Sequence, residues 1–215
     1  MEELDIKEFI QTTLIPNYWE STKGRGVGHL NQVVRNARRL AGRDLTEREL
    51  LTMALHDIGV GYRGFSRDQH NVGSIVAIHT ERDLIPLRKV VDGEIECAVL
   101  CHMRDEYQAS GILGPIHQLL IEADEGAPVW GHERIVKPVK YWLDGRGQPL
   151  STPIKDVVGH ILRVIRKKVE AFRSGKPPFT GRFVEVFSKE IETATAWAET
   201  VTGDDIREVI DELRG

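Results

Sequence analysis

The chain has 215 residues, 40% of them hydrophobic and 29% charged, with a net charge of −4. That length can bury a full core and suggests one domain, or one with an appendage. The acidic balance argues against a general nucleic-acid or membrane-surface binder, although it leaves room for a local basic patch. No apolar run approaches membrane-spanning length. The opening MEELDIKEF is acidic and amphipathic and lacks the basic region and apolar core of a signal peptide, so a cytoplasmic location is expected.

The periodicity is helical almost throughout, with no convincing strand alternation. A first helix is predicted over 3–14, with Leu4, Ile6, Phe9, Ile10 and Leu14 on its apolar side and Pro16 as its stop. A second covers 28–41, placing Leu30, Val33, Val34, Ala37 and Leu40 on one face. Thr46-Glu47-Arg48-Glu49 reads as a capping box. It opens a helix that ends at His56-Asp57, and 58–69 carries three glycines and reads as a loop.

Further helices are predicted from His70 to about Arg82, over 93–103 with Asp92 as cap, and from Pro115 to Asp124. Cys97 and Cys101 lie four apart on one of these. A disulfide between them would constrain little, and small buried apolar residues are the expected reading. Residues 126–152, rich in Gly, Pro and Trp, read as irregular. The cleanest amphipathic helix spans 153–173. Its polar face holds Arg163, Arg166, Lys167, Lys168 and Arg173, either a solvated basic face or a docking surface for an acidic partner. Two short helices, 183–201 and 204–214, complete the chain.

The chemistry concentrates at helix ends. His29 opens the second helix, and His56 and Asp57 close the third. His70 opens the fourth, His102 ends the next, and Asp124 ends another. A bundle can aim six such residues at one cavity, which is how metal sites in helical bundles are built. Imidazole and carboxylate together suit borderline divalent metals.

This ordered set resembles the HD-domain superfamily of metal-dependent phosphohydrolases, over about residues 25–125. Arg25-x-x-x-His29 looks like the family's first histidine, and Leu55-His56-Asp57-Ile58-Gly59 like its name-giving signature. His70-x-x-Gly73 and Val99-Leu-Cys-His102 look like the added histidines of the two-metal branch, and Ala123-Asp124 like the terminal aspartate. The resemblance implies that His29, His56, Asp57 and Asp124 hold one metal. Asp57 then bridges to a second metal held by His70 and His102, and carries the nucleophilic water between them. Mn or Fe is the implied metal, with Co, Ni and Zn as further options. Where many members follow the signature with a phosphate-binding lysine, this chain has Val60. Arg25, Arg63 and Arg67 are the candidates to contact a substrate phosphate instead.

Other residues carry weaker expectations. His79 is an alternative to His70. Asp105 and Glu106 are proton relays or solvated turn residues. His117 could face the cavity, whereas His132 and His160 read as structural. Trp130, Tyr141 and Trp142 either wall a base pocket or belong to the core.

The expected architecture is all-α: an HD-domain-like bundle over 1–125 and a helical C-terminal extension over 126–215, packed as one domain. The extension caps the site or forms a homodimer interface. The expected activity is hydrolysis of a phosphoester or phosphoanhydride in a small phosphorylated substrate, a nucleotide first of all. The rival readings are a di-iron oxygenase that cleaves a C–C or C–P bond with O2, and a non-catalytic nucleotide-sensing module.

Overall fold

The computed structural model describes residues 4–20, 26–65, 69–103, 110–126, 132–144, 151–175 and 177–214. The fold is all-α, with no strand among the described residues. No helix among them is long and apolar enough to cross a membrane. The chain divides into two compact units, Met1–Ala127 and Pro128–Gly215.

The first unit begins with α1 (Ile6–Phe9), which runs on as a π-helical segment, Ile10–Trp19. Pro16, the stop that the sequence predicts, lies inside this segment. Proline removes an N–H from an α-helical ladder. The wider turn continues past it, and Glu20 N–H reaches back to Ile15 O at 2.9 Å. Burial of Leu14, Tyr18 and Trp19 holds the segment against the core. Then come α2 (Gly26–Ala41), α3 (Glu47–Leu55), α4 (His70–Thr80), α5 (Gly93–Leu100) and α6 (Pro115–Glu125).

Central in this unit is α3, which touches α2, α5, α6 and the π-helical segment. Its start is fixed by the predicted capping box between Thr46 and Glu49. Asp92 caps α5 by accepting from the N–H groups of Glu94 and Ile95. Leu51, Leu55, Ile58, Ile78, Leu87, Ile95 and Val99 fill the interior. Each such fully buried side chain contributes roughly 1.5–3 kcal/mol relative to exposure. Cys97 is exposed and Cys101 partly so, both as free thiols, so the expectation that they are buried does not hold. Cys97 sits on the outer face of α5, opposite Ile95 and Val99.

The second unit comprises α7 (His132–Leu143), α8 (Ile154–Ser174), α9 (Gly181–Val186), α10 (Ser188–Thr200) and α11 (Gly203–Arg214). The expected irregular stretch over 126–152 therefore contains a helix. Ile135, Val139 and Trp142 of α7 pack into a core with Ile161, Ile165, Ile206 and Ile210. That burial outweighs the internal Pro138. Trp142 is thus core, with the Arg214 guanidinium 5.1 Å from its ring centre. The predicted helix over 183–201 is in fact two, α9 and α10. Phe187 links them, and its ring lies 4.9 Å from that of Phe183. Gly175, at φ 57°, ends α8 in the left-handed region that favours glycine.

Candidate metal centre

Helix ends deliver all six predicted ligands. His29 lies in the first turn of α2 and His70 is the first residue of α4. His56 caps the C-terminus of α3 and Asp57 follows it. His102 follows the C-cap of α5, and Asp124 lies in the last turn of α6.

Asp57 stands at the centre, and its two oxygens face different groups. Oδ2 lies 3.4 Å from His29 Nε2 and 3.4 Å from His56 Nε2. Oδ1 lies 2.8 Å from His70 Nε2 and 3.7 Å from His102 Nε2. Asp124 Oδ1 joins the first group, 3.1 Å from His29 Nε2 and 3.8 Å from His56 Nε2. Within each group the histidines face each other at 3.3 Å (His29 to His56) and 3.1 Å (His70 to His102).

This donor set passes a test of fit to a metal. Histidine nitrogens bind Zn-sized cations at about 2.0–2.1 Å, which puts neighbouring ligand atoms about 3–3.5 Å apart. The spacings here bracket that value. Tautomers agree as well. His56 Nδ1 lies 2.8 Å from Met53 O, and His102 Nδ1 lies 2.6 Å from Val99 O. A carbonyl only accepts, so each Nδ1 carries a proton and Nε2 is the atom left to ligate a metal, once any proton it shares with Asp57 is displaced. Both triads, His29–His56–Asp57 and Asp57–His70–His102, could hold a metal ion.

No protein-family model, curated protein or solved structure matches this chain.

Burial grades across the cluster. The side chains of His56, Asp57, His70 and His102 are 0–3% exposed, whereas His29 is 20% and Asp124 14% exposed. The cluster thus meets solvent on the His29–Asp124 side. Burial acts to lower the pKa of His29, but hydrogen bonds and charge from Asp124 and Asp57 outweigh it and raise the value to about 9. His56 moves down, because burial dominates there. Burial also opposes the charged form of His102, yet Asp57 carries it upward.

His29 gives a pH prediction. Its folded value of about 9 exceeds its ordinary 6.5. Protonated His29 thus stabilises chelator-treated protein fully below about pH 6.5, and that contribution is lost as pH rises through about 9. A metal must displace the same proton, so metal affinity should climb over this interval while the stability of the stripped protein falls. Metal titration and denaturant unfolding at pH 6.5 and 9 check both slopes.

The sequence reading missed the residues that hold the ligands in place. Ser74 Oγ accepts from Gly59 N–H at 2.9 Å and donates to His56 O at 3.0 Å. Asn36 Nδ2 donates to Ala123 O at 2.9 Å, beside Asp124. Asn71 Nδ2 donates to Leu100 O at 2.6 Å. The Trp19 indole donates to Ala54 O at 2.9 Å, and its ring centre lies 5.5 Å from His56 and 6.2 Å from His29. Each fixes backbone within two residues of a ligand. Ser74→Ala should cost about 2–3 kcal/mol in denaturant unfolding, since two buried backbone groups lose a partner. Metal affinity should fall about tenfold or more alongside it.

Several other candidates lie elsewhere. His79 Nε2 pairs with Glu96 Oε1 at 2.8 Å on the surface, half exposed and outside both triads. His117 accepts from Leu113 N–H through Nδ1 and donates from Nε2 to Cys101 O at 2.9 Å. Both ring nitrogens are thereby committed to backbone next to His102, and burial lowers its pKa. His160 is exposed on α8, and His132 begins α7. Arg25, Arg67, Asp105, Glu106 and Trp130 lie outside the described residues.

Arg63 Nη2 pairs with Glu81 Oε1 at 2.6 Å. It lines an open cleft of about 810 Å³ with Asn17, Tyr18, Val60, Tyr62 and Arg82. The described lining of that cleft includes Ile58, the residue after Asp57, but none of the six ligands.

Proposed function

We propose that this chain is a metal-dependent phosphohydrolase of the HD-domain type. In this reading two divalent transition metals, Mn or Fe, are held by His29, His56, Asp57 and Asp124 and by Asp57, His70 and His102. One observation carries it: the buried Asp57 carboxylate turns Oδ2 to one histidine pair and Oδ1 to the other. A carboxylate so placed offsets the mutual repulsion of two adjacent cations. A single structural metal would need only one of the two groups.

Metals of this kind, when bound, supply Lewis acidity toward a phosphate and a water molecule. The chain's own residues set the stage for that chemistry. Met53 O and Val99 O fix the ring orientations of His56 and His102. Buried Asp57 and partly exposed Asp124 limit the net positive charge. The partly exposed His29–Asp124 edge is where a phosphate can approach. A nucleotide as the phosphate bearer rests on the family resemblance alone. Arg63 would have to leave Glu81 to contact a phosphate.

The deciding experiment couples metal analysis to phosphate release across mononucleotides, dinucleoside polyphosphates and cyclic dinucleotides. About two metals per chain are expected, with turnover abolished in His56→Ala. Oxygen consumption by an iron-loaded sample, without phosphate release, would move the protein to the oxygenase class. Ligand binding without turnover of any kind would make it a sensor.

A further inference from the structure

We propose that Cys97 and Cys101 form a reversible disulfide that draws His102 out of place, so that oxidation loosens the His70–His102 group. The bond itself needs no metal. Its consequence for metal binding rests on the function proposed for the centre.

These are the two cysteines of the chain. They stand four residues apart at the end of α5, which puts them on one face, a turn apart. Cysteine is among the most buried residue types. Here Cys97 is exposed and Cys101 half-buried, and neither is in a disulfide. An oxidant in solution therefore meets Cys97 first, with Cys101 poised as the resolving thiol.

Spacing decides what the bond would do. Four residues of helical rise separate the two α-carbons by about 6 Å, inside the range of about 4.4–6.8 Å found across disulfides. Their β-carbons lie about 5–6 Å apart, whereas a disulfide needs about 3.5–4.5 Å. The pair must therefore close by about 1–2 Å. Cys97 is held inside α5, but Cys101 is its C-cap, at φ −104° and ψ 12°, where helical geometry has ended. The movement falls on Cys101.

His102 is the next residue. Cys101 N–H donates to Cys97 O at 2.9 Å, and Cys101 O accepts from His117 Nε2 at 2.9 Å. These bonds hold the peptide that carries His102, whose Nε2 lies 3.1 Å from His70 Nε2 and 3.7 Å from Asp57 Oδ1. Metal–ligand distances tolerate only about 0.2 Å. A closure of about 1–2 Å one residue away exceeds that several-fold. So short a loop restricts the unfolded chain little, and the effect is local. His29, His56 and Asp124 belong to other helices.

The chemistry balances with a small disulfide such as oxidised glutathione. Cys97 loses its proton and its sulfur attacks one glutathione sulfur. The glutathione S–S bond breaks, and the first glutathione leaves as a thiolate that takes up a proton. Cys101 loses its proton, attacks the Cys97 sulfur and expels the second glutathione in the same way. Two protein thiols are oxidised and one glutathione disulfide is reduced to two thiols. A pair that must be drawn together is readily reduced again.

The test treats the full chain, stripped of metal, with oxidised glutathione and reads it by intact mass and imidazole NMR. The monomer should lose the mass of two hydrogens and both alkylation sites. The His102 signal, identified by its absence from His102→Ala, should shift while those of His79 and His160 stay. Dithiothreitol should reverse all of this. In a parallel Mn titration, oxidation should weaken the His70–His102 group about tenfold or more and spare the His29–His56 group. Reduced Cys97→Ser, an exposed change, should bind Mn as the unaltered chain does. A stable glutathione adduct on Cys97 alone, a disulfide-linked dimer, or a response retained in Cys97→Ser would overturn the proposal. So would an internal disulfide that leaves the His102 signal or Mn affinity unchanged. A reduced chain that takes up no Mn would overturn the metal reading instead, and mass and NMR would still decide the disulfide.

Discussion

Asp57→Asn should strip metal from both ligand groups at once, whereas His70→Ala should weaken only one. The amide keeps the shape of the carboxylate but not its charge, and its nitrogen cannot ligate. One oxygen presently faces His29 and His56 while the other faces His70 and His102. Whichever way the amide turns, one group loses its anion and the other keeps only a neutral oxygen. Changes in outer-shell partners cost about 10–100-fold in metal affinity. A shared anionic ligand should cost more than about 100-fold at both groups. Metal content after gel filtration and phosphate release are the two readouts. Equal metal loss in Asp57→Asn and His70→Ala would show that the two groups are not joined through Asp57.

The second large effect belongs to a residue with no polar side chain. A Cβ on Gly59 would lie 2.2 Å from both His70 O and Ser74 N. Real Cβ atoms do not approach backbone so closely, so the turn after Asp57 must part from the start of α4. Gly73 closes the same contact from the other side, since its Cβ would meet Gly59 O at 2.9 Å. Overpacking of this kind costs about 1–3 kcal/mol, and backbone on both sides places it at the upper end. Gly59→Ala should therefore lower Tm by roughly 10 °C. It should also weaken metal binding, because His70 and Asp57 ride on the two surfaces being forced apart. Calorimetry and metal titration check the pair of effects. A variant with normal stability but lost metal would contradict the packing argument.

The sequence was most informative where one residue type must occur at a helix end. His29, His56, Asp57, His70, His102 and Asp124 stood out as an ordered set, and the structure gathers them. Gly59 and Gly73 are legible in the sequence only as parts of a motif, and their backbone approach explains them. Asn36, Ser74 and Asn71 were not legible, because a short polar residue on a helix looks solvated until its partner is known. Those partners lie 87, 18 and 29 residues away. Pro16 and Pro138 misled in the same manner. Proline's local penalty is readable from the chain, whereas the buried area that overcomes it is set by helices distant in sequence. In 135–143 the spacing of Ile135, Val139 and Trp142 was a helical signal, masked by flanking Gly and Pro.

Trp19 turns the first unit into its own optical gauge. The indole lies against both His29 and His56, while Trp142 and Trp197 belong to the other unit. A paramagnetic ion arriving beside those imidazoles should quench Trp19 emission by short-range contact. Subtracting the signal of Trp19→Phe isolates that response. Stepwise quenching during a Mn titration would then report when the His29–His56 group fills relative to the His70–His102 group, without any substrate having been identified.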